Sequence, residues 1–181
     1  TAWLVAKSQG GTIVLRIDDL DRDRSKAEYI SAVQRDFELL GLTWDHGPFF
    51  QHDRDEAYSE AFQTLGRQGL VYPCFCIRAD LHAASAPHRG EKFVYPGTCR
   101  DLSSEQVAAK CLLRAPAQRL RVPDAMYSFE DMVQGHYAQN LADDCGDFLI
   151  RRSDQAFAYQ LAVVVDDAAQ GVNSVVRGVD L

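Results

Sequence analysis

The stretch LRIDDLDRDR, residues 15–24, packs four aspartates and three arginines into ten positions at the end of the apolar run TIVL, residues 12–15. Thr12 to Ile17 is short and rich in β-branched residues, which reads as a buried parallel strand. The charge therefore stands at the strand's carboxyl end. In an open α/β sheet, ligands bind beyond that end. Two readings follow: a solvated turn, or a carboxylate aimed into a ligand site. The stretch by itself leaves both readings open, and the rest of the chain has to decide between them. Asp21 to Arg24 read as turn and surface.

Working outward, residues 1–9 read as the tail of a helix stopped by Gly10 and Gly11. Ser25 and Glu28 have the spacing of a capping box. Tyr29, Ile30, Val33, Phe37 and Leu40 then recur at helical spacing, and Gly41 closes that helix. Asp53 to Gln68 is a second amphipathic helix, with Ala57, Tyr58, Ala61, Phe62 and Leu65 on one face and Gly69 at its end. The segment from Leu70 to about Leu102 reads as an insertion without a core of its own. Ser103 and Gln106 fit another capping box before a short helix. From Cys111 to about Ile150, apolar runs alternate with turn residues and suggest strands. In FAYQLAVVVDDAAQG, residues 157–171, the valines favour a strand, but the length, the alanines and Gly171 favour a buried helix, which is the reading adopted. VNSVVRGVDL, residues 172–181, reads as a strand running into a turn. Asp166 and Asp167 fall at the helix carboxyl end, where acids sit poorly with the dipole.

The chain has 181 residues, is 46% hydrophobic and carries a net charge of −7. It is long enough for one domain with a sizeable insertion and a real core. No apolar run approaches the roughly 20 residues that span a bilayer, so no membrane role is expected. TAWLVAKSQGG, residues 1–11, lacks a signal-peptide pattern, and a cytoplasmic protein is the default. The acidic balance argues against a generally basic nucleic-acid binder, but local patches decide binding. Arg114, Arg119 and Arg121, and the IRR at 150–152, read as ordinary solvated surface.

Of the five cysteines, Cys74 and Cys76 flank Phe75 and Cys99 follows across a glycine-bearing loop. An odd count at uneven spacing speaks against a disulfide framework. Zinc favours thiolates and prefers four ligands in a tetrahedron. Three cysteines leave one ligand open, and spacing offers Tyr95, His82 and His88. A segment too small to bury its own core also needs a staple. Such a site is structural, because a catalytic zinc keeps an open position.

LRIDDLDRDR with LGLTWD, then YPCFC with YPGTCR, then DFLIRRSDQAFAYQLAVVVDDAAQGVNSVVRGVDL occur in this order. Together they resemble the catalytic domain of class I glutamyl-tRNA synthetases, over essentially the whole chain. The last stretch resembles the family's truncated paralogues, which glutamylate queuosine in tRNA(Asp). Full-length members tend to end the last turn RGEDH, whereas this chain has RGVDL. The resemblance implies an α/β fold: a Rossmann-like class I synthetase catalytic domain with a zinc-bearing insertion, incomplete at both ends. Residues 1–70 and 148–181 would form its two parts. Residues 71–147 would be the insertion, with a zinc-binding segment at 71–102 and an acceptor-side α/β part.

The resemblance further implies three glutamate-binding residues. The family's glutamate that meets the substrate ammonium falls on Asp18, one methylene shorter. Tyr159 matches the glutamate-binding tyrosine, and Arg177 the arginine that pairs with a substrate carboxylate. It selects Tyr95 as fourth zinc ligand, beside Cys74, Cys76 and Cys99. The family's HIGH-like and KMSKS-like ATP motifs are not found in these 181 residues, which by themselves are expected to be inactive. The implied substrates are glutamate, ATP with Mg2+, and tRNA(Asp) carrying queuosine, with a monomer as the expected state. Two other readings remain: a full glutamyl-tRNA synthetase charging the tRNA 3′ end, and a non-catalytic zinc-stapled RNA-binding module.

Overall fold

The computed structural model describes residues 1–21, 23–77 and 94–178. A helix, Ala2–Ser8 (α1), ends at Gly10, whose φ of +67° is a left-handed turn that glycine adopts without strain. Next comes the strand of the opening stretch, Val14–Ile17 (β1), half-buried throughout rather than fully buried. The helix Ala27–Leu39 (α2) then leads to His46–Phe50 (β2), which pairs in parallel with β1. Parallel neighbours need such a crossover, so β1–α2–β2 forms a βαβ unit. Asp45 fixes the entry to β2. Its carboxylate accepts from Lys7 Nζ and from the Ile13 amide, both at 2.8 Å. Those two hydrogen bonds hold the Asp45 carboxyl below the usual carboxylate range. At Gly47, φ is +99° and a Cβ would run into the Leu15 carbonyl oxygen, so the strands approach this closely only with glycine there.

α2 departs from expectation in two respects. The Ser25–Glu28 capping box does not form, and the N-cap is Lys26, without a side-chain cap. Ser25 is instead drawn into the charged turn, where its amide donates to the Asp21 carbonyl at 3.0 Å. The apolar series is also largely uncovered: Tyr29, Val33 and Leu40 are exposed, and only Ile30 and Phe37 are half-buried. A 3₁₀ turn, Gln51–Asp53, precedes the helix Asp55–Arg67 (α3), in which Tyr58 is fully buried. Gly69 closes α3 in the left-handed region.

Val71–Cys74 (β3), Ala117–Leu120 (β4) and Leu149–Arg151 (β7) form an antiparallel sheet in the order β3-β4-β7. The helix Ser104–Cys111 (α4) begins at the expected capping box, with Ser103 and Gln106 bonded reciprocally. Met126–Asp131 (β5) and Gly135–Asn140 (β6) make a hairpin. A short helix, Leu141–Asp144 (α5), is capped by the Asn140 side chain. The expectation that 70–102 lacks a core is corrected. Tyr72, Cys74, Phe75, Tyr95 and Cys99 are buried together, with Cys76, Leu102 and Val107 packed against them. Part of that apolar cover comes from α4, beyond the segment itself.

The ambiguous valine run is a helix, Tyr159–Ala169 (α6), with Leu161, Ala162 and Asp166 buried. Residues 172–178 form no strand, contrary to expectation. Val175 and Val176 are exposed there, and the segment pairs with none of the described strands. By its internal contacts the chain divides into two units, Thr1–Ala61 with Tyr159–Leu181, and Phe62–Ala158. No helix among the described residues is long and apolar enough to cross a membrane.

Candidate functional site

Two constellations stand out, one in each unit. The first is the cysteine cluster in Phe62–Ala158. Cys74 ends β3, Cys76 follows two residues on, and Cys99 lies in the turn closed by the Arg100 amide donating to the Gly97 carbonyl at 2.8 Å. The sulfurs of the three cysteines lie within 4.8 Å of one another. Cys76 Sγ stands 3.7 Å from Cys99 Sγ. The Tyr95 hydroxyl lies 3.5 Å from Cys74 Sγ and 3.6 Å from Cys76 Sγ.

These spacings can be set against a tetrahedral ion. With metal–sulfur bonds of about 2.3 Å and a metal–oxygen bond of about 2.1 Å, adjacent sulfurs stand about 3.8 Å apart and sulfur and oxygen about 3.6 Å. The donor set fits, and so do the Cys76–Cys99 spacing and the two sulfur–hydroxyl spacings, while all three sulfurs stay within 4.8 Å of one another. His82 and His88, the other candidate ligands, lie outside the described residues.

The walls of the cluster are built closely. Gly146, at φ +68°, packs against it so tightly that a Cβ would lie 2.7 Å from Val94 Cγ1 and 3.1 Å from the Tyr95 amide nitrogen. The Arg119 guanidinium lies 3.6 Å from the Tyr95 ring centroid and donates to Cys74 Sγ at 3.2 Å. Burial pushes the Cys74 thiol up, but the hydrogen bonds with Tyr95 and Arg119 outweigh it and hold the thiol below its ordinary value. Burial, with the neighbouring sulfurs, pushes the Cys76 thiol up to about 11. Arg119 is 6% exposed, which corrects its assignment to the solvated surface. Ile150 is likewise buried, and Arg151 lies over the Phe157 ring at 4.9 Å, so only Arg152 of that triplet is open surface.

The second constellation lies in the unit formed by Thr1–Ala61 and Tyr159–Leu181. Asp18 is exposed and accepts from Arg16 Nε at 2.7 Å. Arg16 in turn donates to Asp167 at 2.6 Å and lies 3.8 Å from Asp166. Burial works against the Arg16 charge, yet the hydrogen bonds to Asp18 and Asp167 raise its pKa above the ordinary value.

Asp166 is fully buried, which excludes a surface acid. It accepts from Gln51 Nε2 at 2.9 Å, Arg54 Nε at 2.5 Å and the Tyr58 hydroxyl at 2.8 Å. Those three donors, all from elsewhere in the chain, outweigh the poor fit to the helix dipole. Beside this network, buried Asp19 accepts from the His52 amide at 3.0 Å and contacts His52 Nδ1.

Tyr159, at the start of α6, and Arg177 are both exposed. Asp18, Tyr159 and Arg177 thus share one unit, with no hydrogen bond joining them. The cysteine–tyrosine set, by contrast, converges as a cluster. Sequence reasoning missed Arg16, Gln51, Arg54 and Arg119. Their local signal was no more than a charged or amide side chain, in or next to a strand for Arg16, Gln51 and Arg119 and ahead of α3 for Arg54.

Comparisons with known proteins bear on the family and the fold. Residues 1–181 match the family described as tRNA synthetases class I (E and Q), catalytic domain. The chain is 45% identical over 191 residues to the glutamyl-Q tRNA(Asp) synthetase of Nitratidesulfovibrio vulgaris, covering 99% of this chain and 59% of that protein. It is 45% identical over 181 residues to the protein of the same name from Thiobacillus denitrificans, covering 99% and 58%. The chain therefore spans less than two thirds of these relatives' length. A solved glutamate tRNA ligase from Elizabethkingia meningosepticum, in complex with its amino acid, superposes with a TM-score of 0.76 at 23% identity, over 94% of this chain and 38% of that one. At that identity the likeness shows a shared fold. On its match over all 181 residues, this chain belongs to the class I tRNA synthetases for E and Q, as part of their catalytic domain.

Proposed function

We propose that this chain belongs to an enzyme that activates glutamate with ATP and transfers it to queuosine in the anticodon of tRNA(Asp). The observation that carries the reading is 45% identity over 99% of the chain to proteins named glutamyl-Q tRNA(Asp) synthetase. In this reading the glutamate α-carboxylate attacks the α-phosphate of ATP. Glutamyl-adenylate forms and pyrophosphate leaves; Mg2+ bound with ATP would supply charge stabilisation on the phosphates. A hydroxyl of the queuosine base then takes the acyl group and releases AMP. Catalysis of this kind is mostly positioning and charge stabilisation.

Asp18 meets the substrate ammonium, Arg177 a substrate carboxylate, and the Tyr159 hydroxyl donates to the bound amino acid. All three side chains are exposed, as groups that receive a ligand must be before it arrives. Arg16 orients Asp18, because its guanidinium is held at Asp167 and still donates to Asp18. Cys74, Cys76, Cys99 and Tyr95 would hold a structural zinc, which would supply a cross-link between β3 and the segment 95–99 rather than reaction chemistry. The reaction is cytoplasmic and the enzyme acts as a monomer.

The test is glutamate-dependent pyrophosphate exchange by the complete protein, followed by transfer of labelled glutamate to tRNA(Asp) with and without queuosine. Label that depends on queuosine is expected. Label on the 3′ end of tRNA would make the protein a full glutamyl-tRNA synthetase in activity. Absence of exchange would leave the non-catalytic RNA-binding reading.

A further inference from the structure

Arg119 carries a permanent charge in an interior position, 6% exposed on the middle strand of the β3-β4-β7 sheet. A buried guanidinium needs an anionic partner, because desolvating an unpaired charge costs several kcal/mol. Among the described residues, no carboxylate forms an ion pair with it. The nearby Asp147 carboxylate is already committed: it accepts from the Tyr72 hydroxyl at 2.7 Å and the Val122 amide at 2.8 Å, and faces Arg100 Nε at 3.5 Å. What Arg119 does touch is the cysteine cluster. Its Nε donates to Cys74 Sγ at 3.2 Å, and its Cζ lies over the Tyr95 ring, 3.6 Å from the centroid. Its NH1 donates to the Asp147 backbone carbonyl at 2.6 Å, which fixes the fork in that orientation.

The charge of the cluster supplies the missing partner. Zinc binding releases the protons of three thiols, and three thiolates around a divalent ion leave a net negative charge. We infer that Arg119 is the outer partner of the metal site: it neutralises the anionic metal–thiolate centre through Cys74 and holds Tyr95 against it by stacking. The inference rests on the metal reading of the cluster. It makes Arg119 a positioning residue that touches two of the four ligands and never the ion. A guanidinium suits this position because it is weakly hydrated and planar, and so donates and stacks at once.

The test compares wild type with Arg119→Gln and Arg119→Lys in the full chain. Gln keeps a donor of similar reach but no charge, and Lys keeps the charge but loses the fork and the stack. Zn2+ affinity is read by chelator competition, and Co2+ loading by its thiolate charge-transfer band. Arg119→Gln is expected to bind zinc 10- to 100-fold more weakly, the usual effect of losing an outer-shell partner. Arg119→Lys is expected to recover most of that loss, which a purely space-filling role would not produce.

Wild-type affinity in Arg119→Gln would overturn the inference and leave the metal site standing. So would a Lys variant no better than Gln. Should Arg119→Gln fail to fold, Arg119→Lys decides alone, and a 100-fold loss there counts against charge compensation. Failure of the wild type to take up Zn2+ or Co2+ would remove the metal reading itself, and this inference with it.

Discussion

Arg16 on β1 donates to Asp167 on α6 at 2.6 Å, across 151 residues of chain. The contact ties the first strand of its unit to the helix that closes it. The same guanidinium also donates to Asp18. The exposed carboxylate proposed to meet glutamate is thus held by a group anchored on a distant element. Asp166, one residue earlier, is the deeper anchor, with Gln51, Arg54 and Tyr58 converging on it.

Asp166→Ala should destabilise the protein by about 3–5 kcal/mol, because it leaves the Arg54 charge without its buried partner. Asp166→Asn keeps the shape and one acceptor, and should cost less. Urea unfolding monitored by circular dichroism measures both. An alanine variant within 1 kcal/mol of wild type would show that water replaces the carboxylate.

Arg177→Ala in the complete enzyme should weaken glutamate activation by about 2–5 kcal/mol, while ATP affinity stays nearly constant. Pyrophosphate exchange at varied glutamate and ATP separates the two. Unchanged glutamate dependence would remove Arg177 from the proposed site.

Arg16→Met should raise the KM for glutamate roughly tenfold, about 1.4 kcal/mol, through a misplaced Asp18. Arg16→Lys should recover part of it, because an ammonium can still reach one carboxylate. A variant that lowers kcat alone would point to a role other than placing Asp18.

Cys99→Ser should lower zinc content and destabilise Phe62–Ala158, since the cluster is also part of that unit's core. Chelation of wild type should produce the same loss of thermal stability, and added Zn2+ should restore it in wild type only. An unchanged melting temperature under chelation would show that apolar packing alone supports the cluster.

Stability should fall above pH 10. Burial and the carboxylates at Asp166 and Asp147 raise the Tyr58 and Tyr72 hydroxyls above their ordinary value. Both therefore contribute fully below the unfolded pKa of about 10. Above it the unfolded chain loses the phenolic protons while the native one keeps them, so stability declines by up to about 1.4 kcal/mol per pH unit for each tyrosine. Urea midpoints from pH 8 to 11 test this. Replacing either tyrosine with Phe should flatten the decline.

Local pattern was legible wherever the physics is local. The capping box at Ser103 is read from two side chains three residues apart, and it forms as written. The stops at Gly10, Gly41, Gly69 and Gly171 are backbone preferences of single residues, and all four sit at positive φ. Ser25 has the same capping spacing as Ser103, but its amide is engaged by Asp21, a competing partner that spacing does not reveal. The strand expected after Gly171 did not form: 172–178 pairs with no described strand, and a strand needs a partner as well as β-branched residues.

From the sequence alone came the family resemblance, the α/β class and the three cysteines of the cluster, because ligand spacing and motif order are written along the chain; Tyr95 came from the resemblance, since spacing left it level with His82 and His88. Which buried charges would pair was decided only by tertiary structure. Asp166 and Arg119 look like surface residues in sequence. What makes them interior is a set of partners more than a hundred residues away for Asp166, and 45 residues away at Cys74 for Arg119. A charge enters the core only where the fold delivers its counterpart, and no local window of sequence contains both.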